Sequence, residues 1–293
     1  MTGSYQKDDN LQRVAGNLLR LCGSDNLLYA QLRLATGLTR YQFLDRNETD
    51  AAFVNLDMNV SCTDDPPQSD SGYLYAMYSG ANGKKDVLRR EGEMEVTYLE
   101  CPCDVAHFSV SQGYIIVIDP DGHIYTRDGD NSWTDNIDPK NHTNSRIAAY
   151  RDTYYQSCSI DWWGSVYIYD GSNSWKKIDG NNKNRDLVAG PDWLLTRYPN
   201  GKTWKWDKSK DKWEALSGDE DGKVVQLVAS ATRTEHIYRL FDDGTVQCYN
   251  PRRKEWYKNP SYHNDGKNTW IAVDDKHLYR VTDHNEGFVD AFN

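Results

Sequence analysis

Two adjacent tryptophans, Trp162 and Trp163, stand in the stretch IDWWGSVYIYDGSNSW (160–175), where a polar turn belongs. Exposed indoles at a turn cost solubility, and an aromatic wall over a bound ligand is one arrangement that uses them. The other is a cover over the edge of a neighbouring element. Tyr150, Arg151, Tyr154 and Tyr155 lie just before the pair in sequence, and Arg20, His107, Trp193, Arg197 and Trp270 extend the set along the chain. In the ligand reading, Arg151, His107 and Tyr150 are donors that polarise a reacting oxygen. Trp162, Trp163, Tyr154, Tyr155, Trp193, Arg197, Arg20 and Trp270 then line the substrate.

Conventional catalytic signatures are missing: there is no G-x-S-x-G, no G-x-G-x-x-G and no H-E-x-x-H, and the 7 histidines show no metal-ligand spacing. The acidic turns DPDGH (119–123) and DGDNS (128–132) lack the full calcium-loop pattern and read as solvated turns. No metal and no cofactor is therefore expected.

These residues need a scaffold, and a repeat supplies one. Period-2 apolar runs interrupted by a polar, Gly-containing turn recur as YIIVIDPDGHIYTRD from Tyr114, YQSCSIDWWGSVYIYD from Tyr155, WLLTRYPNGKTWKWD from Trp193, HIYRLFDDGTVQCYN from His236 and HLYRVTDHNEGFVDAF from His277. Alternation and turn chemistry make each a hairpin, with Asp121-Gly122, Asn200-Gly201 and Asp243-Gly244 supplying the positive φ of a tight turn. Weaker copies begin at Leu27 and Tyr73, so successive starts are 46, 41, 41, 38, 43 and 41 residues apart. A period near 40 with four short strands per unit is propeller spacing.

The remaining two strands of each unit are also visible. Compact apolar segments at 105–110, 146–150, 186–190 and 224–229 precede the hairpins as inner strands, and Trp133, Trp175, Trp213 and Trp256 lead outer strands that pack between blades. The last unit ends at Asn293 without an outer strand, whereas KDDNLQRVAG (7–16) has no partner. Pairing the N-terminal residues with Gly287 to Phe292 closes the ring and removes both sheet edges. The sequence thus predicts an all-β, seven-bladed β-propeller, with residues 1–293 forming a single domain.

Charge and hydropathy narrow the partners. A formal net charge of −10 argues against nucleic acid and anionic membranes, and no apolar run approaches the roughly 18 residues of a membrane span. The start MTGSYQKDD has no secretory h-region, yet N-x-[ST] sequons at Asn47, Asn59 and Asn141 and an even 6 cysteines fit a disulfide-bearing glycoprotein of the secretory pathway. The alternative is a soluble cytoplasmic protein. At least one disulfide is expected among Cys22, Cys62, Cys101 and Cys103, with Cys158 and Cys248 as buried thiols.

The blade pattern, Tyr or Trp, then Gly in the turn, then a Trp opening the outer strand, resembles the fungal fucose-specific lectins and related lectin-like propellers across about five units. The resemblance implies an inter-blade sugar pocket with an Arg, a Glu four residues past the turn glycine, and stacking aromatics. Arg197, Arg239 and Arg280 recur on second strands, but Thr126, Ile168, Lys205, Cys248 and Ala291 occupy the Glu position. Loss of equivalence between units points to one specialised cavity at the channel mouth. The hetero-Diels–Alderases of tropolone sesquiterpenoid biosynthesis look like such propellers turned to small-molecule chemistry. That likeness implies a cofactor-independent fungal biosynthetic pericyclase, joining a polyene to a quinone-methide-like enone in an aromatic cavity. The alternative is a secreted glycan-binding lectin with diverged pockets, so the expected partner is an apolar or aromatic small molecule or a glycan.

Overall fold

A computed structural model describes residues 5–6, 17–24, 27–36, 39–45, 54–55, 61–62, 67–70, 73–80, 82–91, 96–129, 131–136, 144–149, 157–161, 163–169, 174–179, 183–190, 193–216, 223–230, 236–258, 266–274 and 276–291. Every regular element among them is a strand, and the strands form seven antiparallel sheets. No helix is long and apolar enough to cross a membrane.

Six sheets follow the chain from inner to outer strand. The third blade, His107–Ser111, Tyr114–Ile118, Ile124–Asp128 and Thr134–Asn136, is typical. The first blade opens with Asn17–Ser24 and Leu27–Arg33. In the second, the inner edge comes in two pieces, Ser61–Cys62 and Gln68–Asp70, both paired with Tyr73–Ser79. The inner strands of the fourth to seventh blades are Asn144–Ala149, Asp186–Gly190, Val224–Ala229 and Asn268–Val273, each at the position that its apolar segment predicts or just ahead of the last hairpin.

One turn chemistry joins the second and third strands. The Gly83, Gly122, Gly164, Gly201 and Gly244 amides donate to the carbonyls of Gly80, Asp119, Asp161, Tyr198 and Phe241, three residues earlier. All five glycines have φ between 78° and 91°, the left-handed closing position of a three-residue hairpin loop. The residue before glycine has a separate task. Asn82, Asn200 and Asp243 each accept, through Oδ1, the amide two residues ahead. In the seventh blade Asn285 takes the glycine's place, with φ 59° and its amide donating to Thr282. Gly287 instead begins the third strand, so the sequence alignment on Gly287 is two residues out of register there.

Strand alternation sends apolar side chains to both faces of each blade, and seven buried clusters result, one between each pair of neighbouring blades. The outer-strand tryptophans join these layers as expected. Trp133 Nε1 donates to the Leu99 carbonyl (2.8 Å) and Trp213 Nε1 to that of Ile178 (3.0 Å), each reaching the preceding blade. Inner strands are also stitched by side chains. Gln68 bridges Phe108 and Val110, and Gln226 clasps Ile271, by accepting and donating to backbone across the blade boundary.

The ring closes in the seventh blade, where Tyr5–Gln6 becomes the fourth strand beside Gly287–Ala291, with Tyr5 opposite Asp290 and Gln6 opposite Val289. The closing strand lies ahead of the segment that sequence pattern nominates; residues 7–16 fall outside the described residues. Deleting residues 1–6 is expected to remove a short ladder worth about 1–3 kcal/mol and to expose an edge that seeds association. Chromatography with light scattering and a thermal melt check this; an unchanged, monodisperse, equally stable product would overturn the closure.

The cysteine expectation is corrected. Cys22 is buried between the first and second blades, and Cys101 and Cys103 between the second and third. All three are thiols, so each candidate partner of Cys62 is outside a disulfide. The physical reason is layering: a bond from Cys22 to either of the others would cross a blade. Cys248 is a buried thiol, as expected. The side chains of Cys62 and Cys158, and the sequons at Asn47, Asn59 and Asn141, lie outside the described residues.

Candidate functional site

Only part of the predicted aromatic wall can be placed. Tyr150, Arg151, Tyr154, Tyr155 and Trp162 lie outside the described residues. Trp163 stands in the second-to-third-strand turn of the fourth blade and is 56% exposed. His107 begins the inner strand of the third blade and is half-buried. Trp193 begins the second strand of the fifth blade and is a core residue, 2% exposed, so it has almost no surface to offer a ligand.

The recurring arginines are consumed by structure. Counting back two residues from the start of each turn places Ser159, Thr196, Arg239 and Arg280 at one equivalent buried position. Arg197 is one residue along, and in a strand that reverses the face it occupies. It reaches Asp186 on the neighbouring inner strand and the Val224 carbonyl (2.7 Å) of the next blade. Arg239 donates from Nε to Gln247 Oε1 (2.8 Å) and stacks on Trp256 at 4.2 Å. Arg280, 0% exposed, donates from Nε to Asp290 Oδ2 (2.6 Å) and from Nη1 to Asn268 Oδ1 (3.0 Å). The repeated lectin positions are thus filled by interactions within and between blades.

Ring closure brings two of the sequence candidates together. Arg20, on the inner strand of the first blade, lies 5.2 Å from the ring centre of Trp270 on the inner strand of the seventh. Trp270 Nε1 donates to the Leu21 carbonyl (3.2 Å), and Arg20 Nη1 donates to Gln31 Oε1 (2.7 Å). Gln31 in turn donates to the Tyr41 hydroxyl (2.8 Å), and both residues are buried. The guanidinium is therefore held from two sides, by an indole face and by a buried amide–phenol relay.

This pair lines a cavity of about 410 Å³ between the first and seventh blades, bounded also by Leu18, Leu19, Arg33, Thr269, Thr282, Asp283 and Asn285. Asp283 and Asn285 belong to the second-to-third-strand turn, so the cavity opens on the same propeller face as Trp163. Asp283 Oδ1 accepts the Lys267 amide (3.1 Å), which fixes the carboxylate at the rim. The Thr282 side chain is buried and its Oγ1 has no hydrogen-bond partner among the described residues. Arg33, Thr269, Thr282, Asp283 and Asn285 escape the sequence reading because they are single polar residues at strand ends and turns, with Arg33 in the first blade and the other four in the last. The expected closure of the ring was the one signal that could have joined them.

A second cavity, of about 280 Å³, lies at the turn of the second blade between Tyr78, Gly80, Asn82, Lys84, Asp86, Glu100 and Cys101. Its polar groups serve the backbone: Asp86 Oδ1 accepts the Val87 and Cys101 amides, and Lys84 Nζ donates to the Cys101 carbonyl. Burial, with Asp86 adding to it, pushes the Cys101 thiol far above its ordinary value, and burial followed by the Asp119 charge raises Cys103 to about 12. Neither thiol is a thiolate nucleophile near neutral pH. Among the described residues no three His, Cys, Asp or Glu side chains are grouped to hold a metal ion.

No protein-family model matches the chain, and no curated protein sequence matches it. Solved structures do. Human WBSCR16 superposes with a TM-score of 0.68 at 9% identity, over 95% of this chain and 88% of that one. YCF48 bound to D1 peptide gives 0.64 at 10%, over 95% and 93%. Prp20p from Saccharomyces cerevisiae gives 0.59 at 9%, over 75% and 70%. At such identities the likeness concerns the fold alone, and it agrees with the seven sheets in making the chain a seven-bladed β-propeller.

Proposed function

We propose that this protein binds a small hydroxylated ligand of the glycan class in the cavity between its first and seventh blades. The observation that carries the reading is the Arg20–Trp270 stack set in a lining of two arginines, two threonines, an aspartate and an asparagine. A sugar ring combines apolar C–H faces with a girdle of hydroxyls. An indole suits the first and planar guanidinium, carboxylate and amide groups suit the second. At about 410 Å³ the cavity is in the size range of small-ligand sites.

The same lining weighs against the pericyclase expectation. A polyene and a planar enone call for apolar aromatic walls, whereas among the described residues Trp270 is the one aromatic side chain that lines this cavity, and Trp193 is in the core. Loss of equivalence between units is compatible with a single site of either kind, and it is the polar lining of this cavity that favours lectin-like binding over cycloaddition.

Isothermal titration against a panel of methyl glycosides tests the reading. One site per chain is expected, and Asp283→Ala, at an exposed rim residue, should weaken binding by about tenfold or more, since hydrogen bonds to charged groups contribute on the order of 1.5–3 kcal/mol. No binding by any member of the panel, or several equivalent sites per chain, would overturn it.

A further inference from the structure

The pocket has a sign that the whole chain does not. The protein carries a formal net charge of −10, yet among the described residues two guanidinium groups, Arg20 and Arg33, line the cavity beside one carboxylate, Asp283. That carboxylate already accepts the Lys267 amide. Arg20 is fixed by Trp270 and by Gln31, whose own amide is anchored on Tyr41. A guanidinium held in this way presents its planar fork in a set direction, which favours recognition of a carboxylate by paired N–H donors and lowers the ordering cost of binding.

Arg33 lies at the far end of the strand paired with Arg20's own, where its residue is exposed. The two arginines thus belong to neighbouring strands of one blade, while Trp270, Thr269 and Thr282 belong to the other. An occupant therefore meets positive charge on the first-blade side and an indole with two hydroxyl residues on the seventh-blade side. Thr282 adds a buried hydroxyl whose oxygen has no partner among the described residues.

From this asymmetry we infer that the ligand is an acidic sugar, a uronic acid or a carboxylated residue of like size, with its carboxylate on Arg20 and Arg33 and its ring toward Trp270. The inference rests on the glycan-binding reading and specifies its substrate class. The acid distinguishes itself from the parent hexose at one carbon only, where a carboxylate replaces a hydroxymethyl group. A pocket that reads this difference must do so through its arginines.

The test compares the methyl glycosides of glucuronic, galacturonic and mannuronic acids with those of glucose, galactose and mannose by titration calorimetry at low and at moderate salt. At least one acid is expected to bind about tenfold or more tightly than its parent hexoside, with the gap narrowing as salt screens a partly exposed pair. Arg33→Gln, at an exposed position, should remove most of the preference while leaving the melting temperature in place. Equal affinity for an acid and its parent, still lowered by Asp283→Ala, would overturn the acid preference and leave the glycan pocket standing. An acid preference unchanged in Arg33→Gln and in Arg20→Gln would also overturn it, because the carboxylate would be read elsewhere. No binding of any of the six glycosides would remove the pocket reading itself.

Discussion

Arg280→Ala is expected to cost about 3–5 kcal/mol of stability, because truncating one member of a buried ion pair leaves the other charge without compensation. Arg280 is 0% exposed and Asp290 5%. The guanidinium also holds Asn268 at the inner strand and lies 4.8 Å from the ring centre of Phe288. Removing it strips three contacts from the blade that closes the ring, one strand away from Tyr5–Gln6. Replacing both members by apolar residues of similar volume, Arg280→Met with Asp290→Leu, should recover much of the loss, since the charge left behind causes most of the cost. Arg197→Ala is the comparison: Arg197 and Asp186 side chains are 17% and 30% exposed, so water partly screens the pair to about 1 kcal/mol, and with the lost hydrogen bond to the Val224 carbonyl the expected cost is about 1–2 kcal/mol. Urea titration of the four proteins measures the differences. Equal costs for Arg197→Ala and Arg280→Ala would show that burial does not distinguish them.

The comparison of Arg197 with Arg280 also marks how far the sequence could be read. Period-2 runs, turn glycines and a spacing near 40 residues disclosed the blades, because those signals are local and repeat. Fine register was not legible. Arg197, Arg239 and Arg280 look equivalent as letters, but turn geometry makes Thr196 the true counterpart, and a one-residue shift moves a side chain to the opposite face. Likewise Gly287 passes for the turn glycine until Asn285 is seen in the left-handed position, which asparagine tolerates better than most residues.

The candidate site was legible only in fragments. Arg20 and Trp270 stand out separately as a basic and an aromatic residue, and nothing local to either announces the other. Their contact is a product of ring closure, which places the inner strands of the first and last blades side by side. Cysteine count misled for a related reason. An even number invites pairing, but Cys22 and the Cys101–Cys103 segment fill different inter-blade layers, where a thiol packs as a small apolar group.

Trp193→Ala should cost about 3–5 kcal/mol, the range for removing a large buried aromatic side chain, whereas Trp163→Ala should cost about 0.5 kcal/mol or less as an exposed turn substitution. Trp193 packs with Leu195, Leu216, Leu227, Ile237 and Tyr249 between the fifth and sixth blades. Its indole lies directly on Gly190, its cross-strand partner, so closely that a Cβ added there would come 2.2 Å from the ring. Gly190→Ala alone should therefore also destabilise the blade. In the double variant the two costs should fall short of their sum, because the added methyl occupies space that the lost indole vacates. Ligand affinity separates the structural role from a binding one. Neither Trp163 nor Trp193 lines the cavity between the first and seventh blades, so Trp163→Ala should bind the panel of glycosides as the parent protein does. Unchanged melting with a large loss of affinity in Trp163→Ala would move the binding site to the fourth blade and restore the aromatic wall that the paired tryptophans first suggest.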